Sequence, residues 1–239
     1  MINILKLFIR AALWLFCAEI NTKNKYLLNT KGPLLIIANH PNSFLDAIII
    51  GTRYNRTIHF LARGDVFTKK LHRFLLSLLN MIPVYRLREG KEFLHLNEYA
   101  FVESARLLKN KEAVLIFIEG TCLNTNALQP FKKGTARILQ ACHTENLFPQ
   151  IHLAGIAYNN FKGIGKRVNL CIETFSQTTA ILSPKDRVNF NNAVFEKLTA
   201  LILPTAHTPT IKKNKTLNKT ESKKTVPFVF LSTKRYTRL

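Results

Sequence analysis

The stretch PLLIIANHPNSFLDAIIIGT, residues 33–52, changes its period half-way along. Residues 33–39 form a short, unbroken apolar run and read as a strand buried on both faces. Residues 43–52 read as a short apolar helix. Between them lies Pro41, which has no N–H to donate and suits a turn or a first helical position. A buried strand that passes through a tight turn into a helix is the unit from which α/β domains are built. In such sheets, sites form beyond the carboxyl ends of the strands. His40 falls just past such an end, and Asp46 follows six residues later.

The alternation continues in both directions. TIHFLAR (57–63) reads as a strand, VFTKKLHRFLLSLLN (66–80) as a helix, and IPVYR (82–86) as a short strand. EFLHLNEYAFVESARLLKN (92–110) is an amphipathic helix, and EAVLIFIEG (112–120) is a buried strand running into a glycine. KGTARILQACH (133–143) reads as a helix, PQIHLAGIAY (149–158) and RVNLCIETF (167–175) as strands, and RVNFNNAVFEKLTALIL (187–203) as the last helix. FKGIGKR (161–167) lacks the glycine spacing and the Ser/Thr of a P-loop and reads as a hairpin turn. This order predicts an α/β domain over residues 23–205, with a largely parallel sheet flanked by helices. Residues 206–239 carry Lys, Thr and Asn without an apolar period, the pattern of a basic, disordered tail.

The chain has 239 residues, 47% of them hydrophobic, which suffices for a full core and excludes disorder over most of its length. It holds 35 Lys and Arg against 14 Asp and Glu, a formal charge of +21. The tail carries nine basic residues and one acidic, so residues 1–205 are themselves at +13. Such a chain is drawn to nucleic acid, to an anionic membrane surface, or to phosphorylated and CoA-like ligands. Cys17, Cys122, Cys142 and Cys171 follow no metal-ligand or disulfide spacing and read as reduced thiols, with no metal expected. At the N-terminus a helix is expected over residues 2–20. Its longest charge-free stretch after Arg10 runs only from Ala11 to Ala18, far short of the roughly 20 apolar residues of a span. Apolar residues occur nearly all round it, and Trp14, Lys6, Arg10, Lys23 and Lys25 suit an interface. Residues 1–22 therefore read as an amphipathic, membrane-associated helix, against the alternative of a core helix of a soluble domain.

An imidazole beyond a buried strand serves as a general base once its second nitrogen is held, and Asp46 is close enough in sequence to hold it. Spacing alone does not separate that reading from an ordinary loop histidine. Three other stretches bear on the choice: IPVYR with Arg86, IEGTCLN with Glu119, Gly120 and Thr121, and LQPFKKGTARI with Lys132 and Lys133. NHPNSFLD, IPVYR, FIEGT and IHLAGIAY, four blocks in this order, resemble the glycerophospholipid acyltransferases of the lysophosphatidic acid and glycerol-3-phosphate acyltransferase type. The resemblance covers roughly residues 30–175.

The resemblance implies a glycerol-3-phosphate acyltransferase-like fold and transfer of a fatty acyl group to a hydroxyl in phospholipid synthesis. It implies His40 as the base and Asp46 as its partner, with Arg86, Glu119, Gly120 and Thr121 binding the phosphorylated acceptor; Lys132, with Lys133, is a candidate for the phosphate of donor or acceptor, against the alternative of a solvated face. The donor would be acyl-CoA or acyl-carrier protein, the acceptor a lysophospholipid or glycerol phosphate, with no other cofactor, at the cytoplasmic face of a membrane. A thioester needs no metal, and a phosphate suits an arginine as bidentate partner.

Four departures from the family pattern stand out. Five residues separate His40 from Asp46 where four are usual, Ile118 stands in place of a proline, Cys122 in place of a basic residue, and the fourth block lacks its proline. The loss of the basic residue opens the alternative of a lyso-aminolipid acceptor. A nucleic-acid binder is the competing class, but KKNKTLNKTESKK has no aromatic residue for bases to stack on, so no nucleic acid is expected.

Overall fold

The structure, a computed structural model, describes residues 2–63, 80–85, 96–177 and 180–206. Helix α1 (Ile2–Phe16) leads into strand β1 (Cys17–Lys23) and a 3-10 turn (Lys25–Asn29). Then come β2 (Leu34–Ala38), α2 (Phe44–Arg53), β3 (Ile58–Arg63), β4 (Met81–Val84), α3 (Leu96–Lys109) and β5 (Ala113–Phe117). The order ends with α4 (Gly134–Thr144), β6 (Gln150–Tyr158), β7 (Lys166–Phe175) and α5 (Pro184–Ala206).

The strands form one sheet in the order β1-β7-β6-β2-β5-β3-β4. Strands β2 to β6 run parallel, β7 returns antiparallel to β6, and β1 lies parallel to β7 at the edge. The expected α/β domain with a mostly parallel sheet between helices is therefore what the chain adopts. Strand β2 shows why. All five of its residues are buried, and its side chains alternate between two cores. Leu35 and Ile37 pack with α3, α4 and α5 on one face, while Leu34, Ile36 and Ala38 pack with α1 and α2 on the other. Gly155 in β6 lets α5 come close, since a Cβ there would lie 2.8 Å from the Cβ of Leu201.

The N-terminal segment differs from its sequence reading. The helix stops at Phe16, and residues 17–23 form β1 rather than continuing a helix to residue 20. From Ile20 to Lys23 the burial alternates with period two, and the partner is the outer edge of β7, with Ile20 opposite Val168 and Thr22 opposite Leu170. A strand edge left open would expose unpaired N–H and C=O groups, and β1 covers it. Helix α1 packs on α2, and Arg10 donates from Nε and Nη2 to the carbonyl oxygen of Thr52, at 3.1 and 2.6 Å. A cation there suits the carboxyl end of α2. Leu13 is buried with Cys17 against the sheet, and Ile9 packs beside them. Leu7, Phe8, Ala11, Ala12, Trp14, Leu15 and Phe16 point outward. One face of α1 is thus core, as the alternative reading expects, and the other is bare and apolar. No helix among the described residues is long and apolar enough to cross a membrane.

Helix α5 begins three residues before its expected start. Pro184 takes the first helical position after Ser183, and Asp186 accepts the main-chain N–H of Ser183 at 2.8 Å while its own N–H reaches Ser183 Oγ at 3.2 Å. That is a capping box, with Asp in place of the usual Glu. Residues 66–79 of the expected helix, the tail after residue 206, and Arg86 lie outside the described residues.

Candidate active site

Of three neighbouring parallel strands, β5 and β2 end level at Phe117 and Ala38, while β6, whose Ala154 lies opposite Ala38, runs on to Tyr158. Beyond these carboxyl ends the chain must leave the sheet without abandoning buried polar groups. Asn39 solves this for β2. Its side-chain amide donates to the carbonyl of Ile156 at 2.9 Å and its oxygen accepts the N–H of Ile156 at 2.8 Å, so one buried side chain continues the ladder as a peptide would. On the other flank the N–H of Ile118 donates to the carbonyl of Ala38 at 3.0 Å, a bond that a proline at 118 could not make. His40 is then free to turn away from the sheet.

The next residues form a type II′ turn. Ser43 has φ 47° and ψ −128°, and the N–H of Leu45 bonds to the carbonyl of Asn42 at 3.2 Å. Helix α2 starts at Phe44, which puts Asp46 in its first turn facing back. The fifth intervening residue is absorbed in this turn, before the helix begins. Asp46 is fully buried and its carboxylate is fully used. Oδ2 accepts from His40 Nδ1 at 3.0 Å and from the N–H of Asn42 at 2.7 Å, and Oδ1 accepts from the hydroxyl of Tyr158 at 2.6 Å. An ionised carboxylate only accepts, so Nδ1 of His40 carries the proton and Nε2 presents its lone pair. Nε2 makes no hydrogen bond among the described residues. The imidazole is 18% exposed and lies flat on Phe117, with centroids 3.8 Å apart and planes 14° apart. This is a held, partly accessible imidazole, the arrangement a general base requires.

The loop after β5 closes the other side. Glu119 is buried and accepts main-chain N–H groups of His40 and Gln129. Burial pushes its carboxyl up to about 7, against those hydrogen bonds and with the charge of Asp46 adding to the rise. Gly120 follows at φ +62°, and a Cβ there would lie 2.9 Å from Lys132 Cγ, so the lysine stem crosses this glycine. The N–H of Lys132 returns to the carbonyl of Ile118 at 2.9 Å and shuts the loop. Asn126 pins its middle through a pair of bonds to the main chain of Tyr158, at 2.8 and 3.0 Å. Cys122 joins this loop to the His-Asp turn, its Sγ accepting the N–H of Ser43 at 2.9 Å.

The structure thus brings His40, Asp46, Glu119, Gly120 and Lys132 into one place, with Thr121 half-buried beside them. Arg86 lies outside the described residues; Tyr85 before it is held to Asn97 through both its N–H and its carbonyl, each at 2.7 Å. Sequence reasoning singled out neither Tyr158 nor Asn126. The signal for Tyr158 was faint: it is the one polar side chain at the carboxyl end of IHLAGIAY. Two other described histidines have other work. His152 is buried between Tyr54 Oη at 3.1 Å and Thr30 Oγ1 at 3.5 Å, and burial lowers it to about 4. His143 accepts the N–H of Ile181 at 2.8 Å. All four cysteines are free thiols.

No match was found among curated protein sequences. Among solved structures, the crystal structure of the 1-acyl-sn-glycerophosphate (LPA) acyltransferase PlsC from Thermotoga maritima matches with a TM-score of 0.61 and 16% sequence identity, over 89% of this chain and 80% of that one. At that identity the likeness shows a shared fold. The family model for acyltransferases matches residues 19–159, a span that runs from β1 to just past Tyr158 and takes in every residue of the His40 site described above. With more than half of the chain matched, including the held imidazole and its carboxylate, the protein belongs to the acyltransferase family and is an acyltransferase enzyme.

Proposed function

We propose that the protein is a glycerophospholipid O-acyltransferase, moving a fatty acyl group from acyl-CoA or acyl-carrier protein to the hydroxyl of a lysophospholipid or phosphorylated glycerol. The observation that carries this reading is the 3.0 Å bond between His40 Nδ1 and a carboxylate that is itself fixed by Asn42 and Tyr158. Nε2 takes the proton of the acceptor hydroxyl as its oxygen attacks the thioester carbonyl. The carbonyl π electrons move to oxygen, then return as the C–S bond breaks. The departing thiolate takes the proton from Nε2, and an ester and a free thiol remain. Base assistance of this kind is worth roughly 10²–10⁴-fold, because a neutral hydroxyl is a poor nucleophile. Asp46 keeps the ring in the useful tautomer and offsets the positive charge it gains. Gly120, Thr121, Lys132 and Arg86 are the groups assigned to the acceptor, with Glu119 fixing the loop that carries them.

The outward face of α1 supports a site of action at a membrane surface. Phe8 is 69% exposed and Trp14 80%, with Leu7 and Leu15 between them and no charge on that stripe. The β6–β7 hairpin extends it: the N–H of Gly165 bonds to the carbonyl of Phe16 at 2.9 Å, and Ile164 beside it is 70% exposed. We place this face on the cytoplasmic side of an anionic bilayer, to which a chain of net charge +21 is attracted.

The test is product identification. Purified protein is incubated with oleoyl-CoA or oleoyl-carrier protein and a panel of glycerol 3-phosphate, lysophospholipids and a lyso-aminolipid, and products are identified by mass. An acylated glycerophospholipid is expected, and His40→Ala is expected to abolish it while leaving the fold intact by circular dichroism. Acylation of the lyso-aminolipid alone would move the acceptor to the class that Cys122, in place of a basic residue, leaves open. Transfer at the wild-type rate by His40→Ala overturns the mechanism.

A further inference from the structure

We propose that Tyr158 is a positioning residue of the acyl-transfer site, acting on His40 through Asp46; this rests on the general-base reading of His40. Tyr158 is the last residue of β6, 112 positions from Asp46 in sequence, yet its hydroxyl donates to Asp46 Oδ1 at 2.6 Å with both groups buried. Hydrogen bonds from hydroxyl to carboxylate at this distance are among the strong ones. The carboxylate can accept but not donate, so the bond has one direction. It does two things. It fixes the plane of the carboxylate so that Oδ2 stays on His40 Nδ1, and it draws part of the negative charge away from the imidazole.

The tyrosine is itself fixed from two sides. Its N–H and C=O are both taken by the side chain of Asn126, on the loop that carries Glu119, Gly120 and Thr121. Its ring lies 5.9 Å from that of Phe161 in the following hairpin. Tyr158 therefore ties the substrate loop to the catalytic carboxylate, main chain to one and hydroxyl to the other. Glu119 and Cys122 also lie within electrostatic reach of Asp46, and Cys17 and Cys122 within that of the hydroxyl. Burial and the adjacent carboxylate raise the tyrosine far above its ordinary range, which keeps its proton in place as the donated one.

The experiment compares steady-state kinetics of the full chain, its Tyr158→Phe variant, and a chain carrying 3-fluorotyrosine at position 158. Oleoyl-CoA is the donor and lysophosphatidic acid the acceptor, or the acceptor turned over in the panel above. Phe removes only the hydroxyl. The expected result is a fall in kcat of about 10-fold, the size of one lost hydrogen bond to a charged group, with KM for both substrates unchanged. The acid limb of kcat/KM should move to higher pH, since Asp46 then turns its whole charge on His40 and holds the imidazolium proton more tightly. Fluorotyrosine keeps the shape and is the stronger donor, so it should move the limb to lower pH. It also keeps the question open to test if the Phe variant fails to fold. A limb that stays at its wild-type position in the variants that fold, whatever happens to kcat, makes Tyr158 a packing residue and overturns the proposal. Absence of turnover by the wild type on every acceptor overturns the general-base reading itself, and is told apart by that.

Discussion

Ser43 sits where glycine would be at ease. Its φ of 47° with ψ −128° is the first central position of a type II′ turn, a region that side chains with a Cβ rarely occupy. The strain is kept because the same turn absorbs the fifth residue between His40 and Asp46 and delivers the N–H of Asn42 to the carboxylate. Ser43→Gly should therefore retain activity and raise the melting temperature by about 2 °C, the shift that a gain of well under 1 kcal/mol produces in a chain of this size. Calorimetry checks this; a large loss of stability would mean that the serine side chain holds the turn. Glu119 allows a test in pH. Its carboxyl has an ordinary value of 4.5 and lies at about 7 in the fold, burial being the main cause. Between those values the native state binds more protons than the unfolded chain. The stability linked to this group is thus complete below about 4.5 and lost as pH rises through about 7. The wild-type melting temperature should drop more between pH 5 and pH 8 than that of Glu119→Gln, measured in parallel. Equal drops would mean that this carboxyl is ionised throughout.

Helix α1 has two faces, one packed in the core and one bare and apolar. Ile9 and Leu13 lie about one turn apart and form the inward stripe, Ile9 partly buried and Leu13 buried, with buried Cys17 continuing it at the start of β1. Residues 7, 11, 14 and 15 form the outward one and are exposed. The two stripes respond differently to the same change. Leu13→Asp buries an unpaired carboxylate and should cost several kcal/mol, seen as a marked fall in melting temperature. Trp14→Asp changes an exposed position and should leave the melting temperature nearly constant while weakening binding to phosphatidylglycerol vesicles. Sedimentation with vesicles and thermal melting of both variants separate the two roles. If Trp14→Asp sediments like the wild type, the anchor lies elsewhere. The boundary at Phe16 also fixes where a deletion of α1 should begin. A chain starting at Cys17 keeps β1 whole, whereas one starting near Asn21 strips half of it and opens the edge of β7.

At the scale of the molecule, charge and apolar surface act together. On the proposed membrane docking, the +21 charge would draw the chain to an anionic bilayer from a distance, and the α1 and hairpin face would give the contact that persists once there. Binding to phosphatidylglycerol vesicles should weaken as salt is raised from 0.05 to about 0.5 M, where the screening length falls to a few ångström, yet a salt-resistant fraction should remain. Centrifugation across that range measures both parts. Complete release by salt would leave no apolar component and would remove α1 from the docking face. The arrangement also sets distances. The exposed hairpin follows directly from Tyr158, and α2 carries both the partner of α1 and the carboxylate of the dyad. A bilayer at that face would therefore lie close to the end of the sheet where His40 stands.

The sequence by itself determined the alternation of strands and helices, the parallel character of the sheet and the dyad, because each of these is written in neighbouring residues. A buried strand is a contiguous apolar run, and His40 and Asp46 are six residues apart, within reach of one turn. Bounds came out within a few residues for most described elements, and the ordered motif blocks identified the chemistry. What only the tertiary structure decided are pairings that no local pattern encodes. Residues 17–23 become a strand because the edge of β7 is there to receive them, and the period of two in Ile20–Lys23 is too short to compete with the helical pattern before it. Tyr158 meets Asp46 across 112 residues, and Asn126 meets Tyr158 across 32, because β2 and β6 are adjacent in the sheet. The two faces of α1 share one composition, so only packing against α2 and the sheet shows which is core and which is left bare. Local periodicity records how a segment buries itself, whereas the partner of a buried polar group is set by which strands lie side by side.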